Sequence, residues 1–362
     1  MTASRVAKLA GVSVSTVSRV VNSHPGVAAD TVAAVQKAMK ELAFAPSRRT
    51  KVGGAGRNPR GMRIAFLMFG ASNASPAPSF QRLMIGVSDA ANALGANLTF
   101  GFVAETIAHG LPSATSHPLK ILEHPLDGLL LHGVEPDAAI AERLSKLPTV
   151  WLMGNRNRPT WGDQVMPDNT AIGTLAAHYL LRRKHRRVAY LGLGGWSWSF
   201  GIRALAFSQI CRDADCAVHE LIATPFSNRD YWGGDLLRAG GELVDQIFRL
   251  PERPTGIFVS EDRLLPVVQA GLIERGVRLA DGDEAFADSP DKPMQVISCN
   301  NDARSLPLRG PVPPSIDIAS ETIGRRGLEH LLWRIAHVDR QERFRLMISP
   351  TLVDSAGGVA RV

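Results

Sequence analysis

The chain has 362 residues, 45% of them hydrophobic and 6% aromatic, which is more apolar material than one ordinary domain needs, so two or three packing units are expected. No apolar run reaches the roughly 18 to 20 residues that cross a bilayer, and no charged-then-apolar leader follows Met1, so a soluble cytoplasmic protein is expected. The net charge is +7, yet residues 1–63 alone carry eleven Lys/Arg against Asp30 and Glu41, a net of +9, and the remainder sums to −2. A basic end on a near-neutral body points to contact with a phosphate backbone. An anionic membrane would attract the same charge, but no amphipathic helix with large apolar residues accompanies it, so no membrane partner is expected. Cys211, Cys216 and Cys299 form no CxxC pair and have no histidine at metal spacing. They read as small buried thiols, with neither metal nor cofactor expected.

The basic end begins with two short helical patterns. Val6, Leu9 and Ala10 make one apolar face, Gly11 interrupts it, and Ser13 can cap a second helix whose inner face is Val17, Val20 and Val21. A small residue at Ala7, a residue free to take positive φ at Gly11 and a β-branched residue at Val17 suit a helix-turn-helix, whose second helix enters the major groove. A third helix from about Asp30 to Leu42 closes the core with Val32, Val35, Ala38, Met39 and Leu42. The outer face of the second helix is rich in hydroxyls, which cost a surface helix some stability compared with Glu, Lys or Ala. Presentation to DNA accounts for them better than solvation does. In this geometry Val14 and Ser15 reach base edges first, and Arg19, one turn on, can grip guanine O6 and N7 through its fork. Ser13, Thr16, Ser18 and Asn22 suit phosphate oxygens, which fix register without reading sequence.

The stretch "VAKLAGVSVSTVSRVVNSHPGV" followed by "ELAFAP" resembles the DNA-binding headpiece of the lactose-repressor (LacI/GalR) family, almost continuously from Val6 to Pro46. The resemblance implies a helix-turn-helix domain over residues 1–46, with the family's base-reading pair on Val14 and Ser15 and its arginine on Arg19. Residues 47–62 read as a hinge linker rich in Gly, Pro and Arg. Here the family places a short helix whose leucine wedges into the minor groove, but Gly53 stands at that position and Gly54 follows it. Each glycine costs a helix about 1 kcal/mol relative to Ala, and neither can act as an apolar wedge. Arg48, Arg49 and Lys51 are therefore expected to meet phosphates, or a narrow minor groove, from a mostly extended segment.

From Arg63 onward the pattern alternates strand and helix. "RIAFLMF", "NLTFGFV", "DGLLLHG" and "TVWLMG", then "RVAYLGL", "AVHELIAT", "TGIFVS" and "MQVISCN", are short apolar runs of buried parallel strands, with a break near "PTWGDQVMPDN". Two doubly wound sheets are expected, with a ligand cleft beyond the carboxyl ends of their strands. This body resembles the periplasmic-binding-protein-like effector domain of the same family, through "MPDNTAIGTLAAHYLLRRKHRRVAYLG", "RALAF" from Arg203, "IFVSED", "VISCNND" and "PSIDIASETIGRRGLEHLL". The fold class is thus α/β behind a three-helix headpiece, with the effector-binding and dimerisation domain over 63–362. The resemblance implies a first lobe of about 63–165 plus 303–338 and a second of about 166–302 plus 339–362.

By the same resemblance Arg203 falls on the family's effector-contacting arginine, suited to fork-like bonds to hydroxyls or a carboxylate. Glu261 takes a position that is often Asn, Asn300 one that is commonly Asp, and Met153 one where many sugar-responsive members carry Asp. Trp196 and Trp198 in "GGWSWSF", and Trp232 in "DYWGG", either stack on a ligand or pack within the lobe, and Phe80 has the same two readings. "LGLGG" after a strand raises a nucleotide-binding or solute-binding enzyme of doubly wound fold as the alternative. That GxGxxG is incomplete and lacks its acidic partner, and no GxSxG, HExxH or Walker pattern occurs. The expectation is no enzyme. It is a DNA-binding transcription regulator, a homodimer on double-stranded operator DNA, whose affinity is changed by a small-molecule effector, a sugar or sugar derivative.

Overall fold

A computed structural model describes residues 3–21, 27–42, 59–70, 77–103, 124–154, 161–194, 198–224, 236–282 and 293–360. The chain divides into two compact units, Met1–Ala55 and Gly56–Val362.

The smaller unit holds α1 (Ala3–Leu9), α2 (Val14–Val21) and α3 (Ala29–Glu41). Gly11 takes φ 65° between the first two helices, and the Val12 N–H returns to the Ala7 carbonyl at 3.0 Å, closing the end of α1. Ser13 starts α2, its Oγ accepting the Thr16 N–H at 3.1 Å. The core is small: Val6, Ala7, Val17, Val35 and Ala38, ringed by Ala10, Val12, Val20, Met39 and Leu42. Leu9, expected on the inner face of α1, is instead 47% exposed. The buried side of α1 is centred on Ala7, and at about 100° per residue Leu9 lies roughly 200° round from it.

The larger unit contains two six-stranded sheets. Its first part runs β1 (Arg63–Phe69), α4 (Pro78–Leu94), β2 (Asn97–Val103), β3 (Gly128–Gly133), α5 (Ala138–Leu144), β4 (Thr149–Leu152) and β5 (Asp163–Pro167). The second runs α6 (Asn169–Arg182), β6 (Arg187–Leu193), α7 (Trp198–Asp213), β7 (Ala217–Ala223), α8 (Leu236–Arg249), β8 (Gly256–Val259), α9 (Leu265–Glu274), β9 (Gln295–Cys299) and β10 (Ser315–Asp317). The chain ends with α10 (Ser320–Ala336), β11 (Arg345–Ile348) and β12 (Thr351–Val353). The strand orders are β11-β5-β4-β3-β1-β2 and β12-β10-β9-β8-β6-β7. All pairs are parallel except β10 with β12.

Central strands are buried along almost their whole length and mostly apolar because both sheet faces are covered. In the first lobe Ile64, Phe66 and Met68 share a cluster with residues of α4 and α10, while the alternate Ala65, Leu67 and Phe69 face α5. Helix starts are fixed locally. Asp137 accepts the Ile140 N–H at 2.8 Å to begin α5, and Asp168 accepts the Ala171 N–H at 2.9 Å to begin α6.

The lobe boundaries depart from the expected ones. The segment 159–169, read as a break, contains β5. Of residues 303–338, expected in the first lobe, β10 joins the second sheet through Ser315 opposite Ser298 and Ile316 opposite Cys299, whereas α10 packs on the first. Of residues 339–362, expected in the second lobe, β11 pairs with β5 in the first. Strands of three to five residues carry too little alternation to reveal which sheet they join.

The first lobe is tied to its late-arriving segments by one buried carboxylate. Asp163 accepts from Arg334 Nε at 2.8 Å and Nη2 at 3.0 Å, from the Phe344 N–H at 2.9 Å, and pairs with His330 Nε2 at 2.7 Å. Arg334 also donates to the carbonyls of Arg340 at 2.9 Å and Glu342 at 2.8 Å, so β5, α10 and the turn into β11 meet at one ion pair. Burial pushes the Asp163 carboxyl up, but hydrogen bonds from His330, Arg334 and the Phe344 N–H outweigh it and hold the group below the ordinary carboxylate value. Arg334→Met strands this carboxylate in the interior. It should lower the unfolding free energy of the larger unit by about 3–5 kcal/mol, read from denaturant midpoints.

Candidate DNA interface and ligand cleft

On the headpiece, α2 turns Val17 inward and leaves Val14, Ser15 and Arg19 exposed. These are the three residues assigned to base edges. Ser13 and Thr16, assigned to phosphate, join in a local hydroxyl network: Ser13 Oγ lies 2.7 Å from Ser15 Oγ and 2.8 Å from Thr16 Oγ1. Ser13 thus has a structural task, fixing where the helix begins. Asn22, Arg48, Arg49 and Lys51 lie outside the described residues, as does the side chain of Ser18.

In the larger unit, Arg203 sits on α7 and is 4% exposed. Two devices put it there. Gly173 of α6 faces the Arg203 carbonyl so closely that a Cβ at Gly173 would lie 2.4 Å from that oxygen, so only glycine lets α6 and α7 approach to this depth. The guanidinium is then aimed by Nε donating to Asn169 Oδ1 at 2.9 Å and Nη1 donating to the Ser260 carbonyl at 2.7 Å, with the Phe200 ring 5.6 Å away. Ser260 follows β8, and Asn169 opens α6. Arg203 therefore bridges two rim positions of the second lobe.

Glu261, next to Ser260, is fully buried and accepts from Arg263 Nε at 3.3 Å. Asn300 ends β9. Its N–H reaches the Ile316 carbonyl at 2.9 Å, its φ is 107°, and its buried Oδ1 has no hydrogen-bond partner. Cys299 beside it has its thiol pushed up to about 12 by burial, with the charge of Arg203 opposing. Arg203, Glu261 and Asn300 thus gather at the carboxyl ends of β8 and β9, where open α/β sheets bind ligands.

The aromatic candidates divide. Phe80 is 4% exposed and packs in the first-lobe core, its ring stacked on His132 at 5.4 Å and near Phe66 at 6.3 Å. Trp198, half-buried at the start of α7, lies 5.5 Å beneath the guanidinium of Arg345. Trp196 and Trp232 lie outside the described residues. Met153, at φ 67°, packs against core residues of both lobes. Sequence reasoning missed Asn169, Ser260, Arg82 and Asp302. Asn169 and Ser260 act through a side-chain carbonyl and a backbone carbonyl that no motif advertises. Arg82 and Asp302 are 220 positions apart.

Beneath the rim lies Asp262, which accepts the N–H groups of Asp302 and Ala303, the latter at 3.1 Å, and the Ser315 hydroxyl at 3.0 Å. It fixes the loop that carries Asn300.

A three-helix unit that exposes hydroxyls and an arginine on one helix, joined to a two-lobed α/β domain with a polar rim, defines a DNA-binding regulator with a small-molecule-binding domain. Residues 2–47 match the family described as bacterial regulatory proteins, lacI family, and residues 177–355 match the periplasmic binding protein-like domain. The HTH-type transcriptional repressor PurR of Erwinia tasmaniensis is 27% identical over 357 residues, spanning 96% of this chain and 94% of that protein. Among solved structures, a complex of the transcriptional regulator CelR with cellobiose superposes with a TM-score of 0.61 at 21% identity, covering 99% of this chain and 100% of that one. The Lac repressor bound to ONPG gives 0.59 at 20% identity, covering 98% and 99%. The chain belongs to the lacI family of bacterial regulatory proteins. It is a regulator and not an enzyme, and the nucleotide-binding reading of "LGLGG" falls away. No helix among the described residues is long and apolar enough to cross a membrane.

Burial pushes the Asp262 carboxyl up to about 7, the charge of Asp302 adding and hydrogen bonds from Ser298, Asp302 and Ser315 opposing. The folded chain therefore holds this proton more tightly than the unfolded chain, whose carboxyl titrates near 3.8. The stabilisation is complete below that value and is lost as pH rises through 7. Urea midpoints should accordingly fall between pH 5 and pH 8, and Asp262→Asn should narrow that difference.

Proposed function

We propose that this protein is a transcriptional repressor that binds a near-palindromic operator as a homodimer in the cytoplasm. Its operator affinity is set by a sugar or sugar derivative held between the two lobes. The observation that carries this reading is the outer face of α2, where Val14, Ser15 and Arg19 stand exposed on a unit whose core is already closed by Val6, Ala7, Val17, Val35 and Ala38. A helix with no further packing duty and this composition suits the major groove. Arg48, Arg49 and Lys51 of the linker add phosphate contacts in this reading.

Arg203 supports the ligand half of the reading. It is a buried guanidinium fixed at the rim by Asn169 and Ser260, with Glu261 adjacent and Asn300 at the end of the neighbouring strand. Of the aromatic candidates within the described residues, Trp198 stands half-buried at the start of the helix that carries Arg203, and Phe80 serves the core. Two copies are favoured by the large apolar side chains that the first lobe exposes, Phe100 and Phe102 of the outer strand β2 and Ile85 of α4. Two headpieces would then read half-sites roughly 34 Å apart or a multiple of that. Ligand control requires that the effector bind the two lobe arrangements with different affinity.

Arg19→Ala should cost about 1–3 kcal/mol of operator affinity and relax preference at one base pair, measured by binding to a library of operator variants. An unchanged preference would contradict the assigned readout. A thermal-shift screen of sugars, sugar acids and nucleobases identifies the ligand through its stabilisation of the folded chain. With that ligand, Arg203→Lys keeps the charge but loses the fork. It should raise the ligand concentration needed for response about tenfold or more, roughly 1.4 kcal/mol, while leaving ligand-free operator affinity intact. An unaltered ligand titration would remove Arg203 from the site.

A further inference from the structure

The two lobes of the larger unit are joined by a charged pair that belongs wholly to the chain. Arg82, on the second turn of α4 in the first lobe, donates through Nη2 to the Asn300 carbonyl at 2.6 Å and to Asp302 Oδ1 at 3.0 Å. Both acceptors follow β9 of the second lobe. The Asp302 side chain is fully buried, whereas that of Arg82 is 30% exposed. Ser79, three residues before Arg82 on α4, also hydrogen-bonds to Asp302. One helix of the first lobe therefore grips a carboxylate and a carbonyl of the second.

The loop it grips is held in shape from below. Asp262 takes the N–H groups of Asp302 and Ala303, while Asn300 and Asn301 adopt φ of 107° and 57°. Such backbone is unfavourable for residues other than glycine and persists only where the surroundings over-determine it. Here it presents the Asn300 carbonyl and the Asp302 carboxylate together to one guanidinium. A charge-assisted bond to a carboxylate is worth more than a neutral one, and leaving that carboxylate buried without its partner is costly. The lobes can part only if Asp302 exchanges Arg82 for water. Other contacts cross the same boundary: Ser199 Oγ donates to the Gly154 carbonyl at 3.1 Å, and the Arg345 guanidinium lies over the Trp198 ring.

We infer that Arg82 and Asp302 form a latch that holds the two lobes closed on each other in the absence of any ligand. Closure is then the resting state of this chain, and a ligand acts on an equilibrium that the latch has already biased. The inference rests on the reading that the lobes are the moving parts of a regulator, but its test involves neither ligand nor DNA.

The test is a distance measurement on the full chain by double electron–electron resonance. Nitroxides are attached at Ala93→Cys, exposed at the end of α4, and Leu205→Cys, exposed on α7; the three native cysteines are buried. The parent chain should give one narrow separation at low salt. Arg82→Met and Asp302→Asn should each move most of the population to longer separations. Identical distributions in the parent and Arg82→Met would overturn the latch. So would identical distributions in the parent and Asp302→Asn, and this second variant decides the matter if circular dichroism shows Arg82→Met to be unfolded. Failure here leaves the operator and ligand titrations untouched, and failure of those leaves these distances untouched.

Discussion

The chain crosses between its two sheets three times, and each crossing is only a few residues long. β5 passes into α6 at Asp168, β10 passes into α10 through Ile318 and Ala319, and β11 passes into β12 through Pro350 and its neighbour. Three short parallel connections leave the lobes little freedom except rotation about the crossings themselves. The middle one is the most tightly specified. Ala319 sits at φ 55°, and its N–H is held by Asp317 Oδ1 at 2.7 Å. On the first-lobe side, the Asp163 ion pair clamps β5, α10 and the turn into β11 together, so that the first-lobe elements of all three crossings share one anchor.

Three buried acids show how that rigidity is assembled. Asp163 meets a bidentate guanidinium, an imidazole and a backbone N–H, and its carboxyl is held below its ordinary value. Asp262 meets only hydroxyls and backbone N–H groups, and burial wins, lifting it. Asp302 is also lifted by burial, in spite of the opposing charge of Arg82 and hydrogen bonds from Ser79. The first acid fastens the interior of one lobe, the second shapes a loop, and the third faces the other lobe. The first differs from the third, which also touches one guanidinium, in taking that guanidinium through two bonds and adding an imidazole and a backbone N–H.

How much of this was readable from residue order differs by element. The headpiece was readable because its signals are local: a glycine at the turn, a cap at Ser13 and valines at helical spacing define the helices within about forty residues. Leu9 was misplaced because neighbouring helices, not the period of α1, decide which side of a seven-residue helix is covered. The central strands among the eight apolar runs were readable because both sheet faces are buried there, and the edge strands β2 and β7 by their β-branched and aromatic residues. β5, β10, β11 and β12 are short, and their sheet membership depends on pairing with strands far along the chain. Arg203, Glu261 and Asn300 were marked by family resemblance, and the structure brings them to neighbouring strand ends. The groups that aim Arg203 were invisible, since a backbone carbonyl at Ser260 has no residue signature.

The proposed ligand rim departs from its family resemblance in a patterned way. Where the resemblance leads one to expect an amide after β8 and a carboxylate after β9, this chain has Glu261 and Asn300. The pair still contains one carboxylate and one amide, so its formal charge is unchanged while the two groups have traded places. The carboxylate now adjoins Ser260, whose carbonyl holds Arg203, and it is drawn to Arg263 on its own turn. The amide now stands next to the loop whose charge, Asp302, is directed across the lobe boundary to Arg82. An aspartate at position 300 would place two carboxylates within three residues of each other in a buried loop served by one guanidinium, a like-charge arrangement that low-dielectric surroundings penalise. The exchange at the rim and the charged pair across the boundary are therefore mutually consistent: with Asp302 facing Arg82, the neutral side chain belongs at Asn300 and the negative one at Glu261.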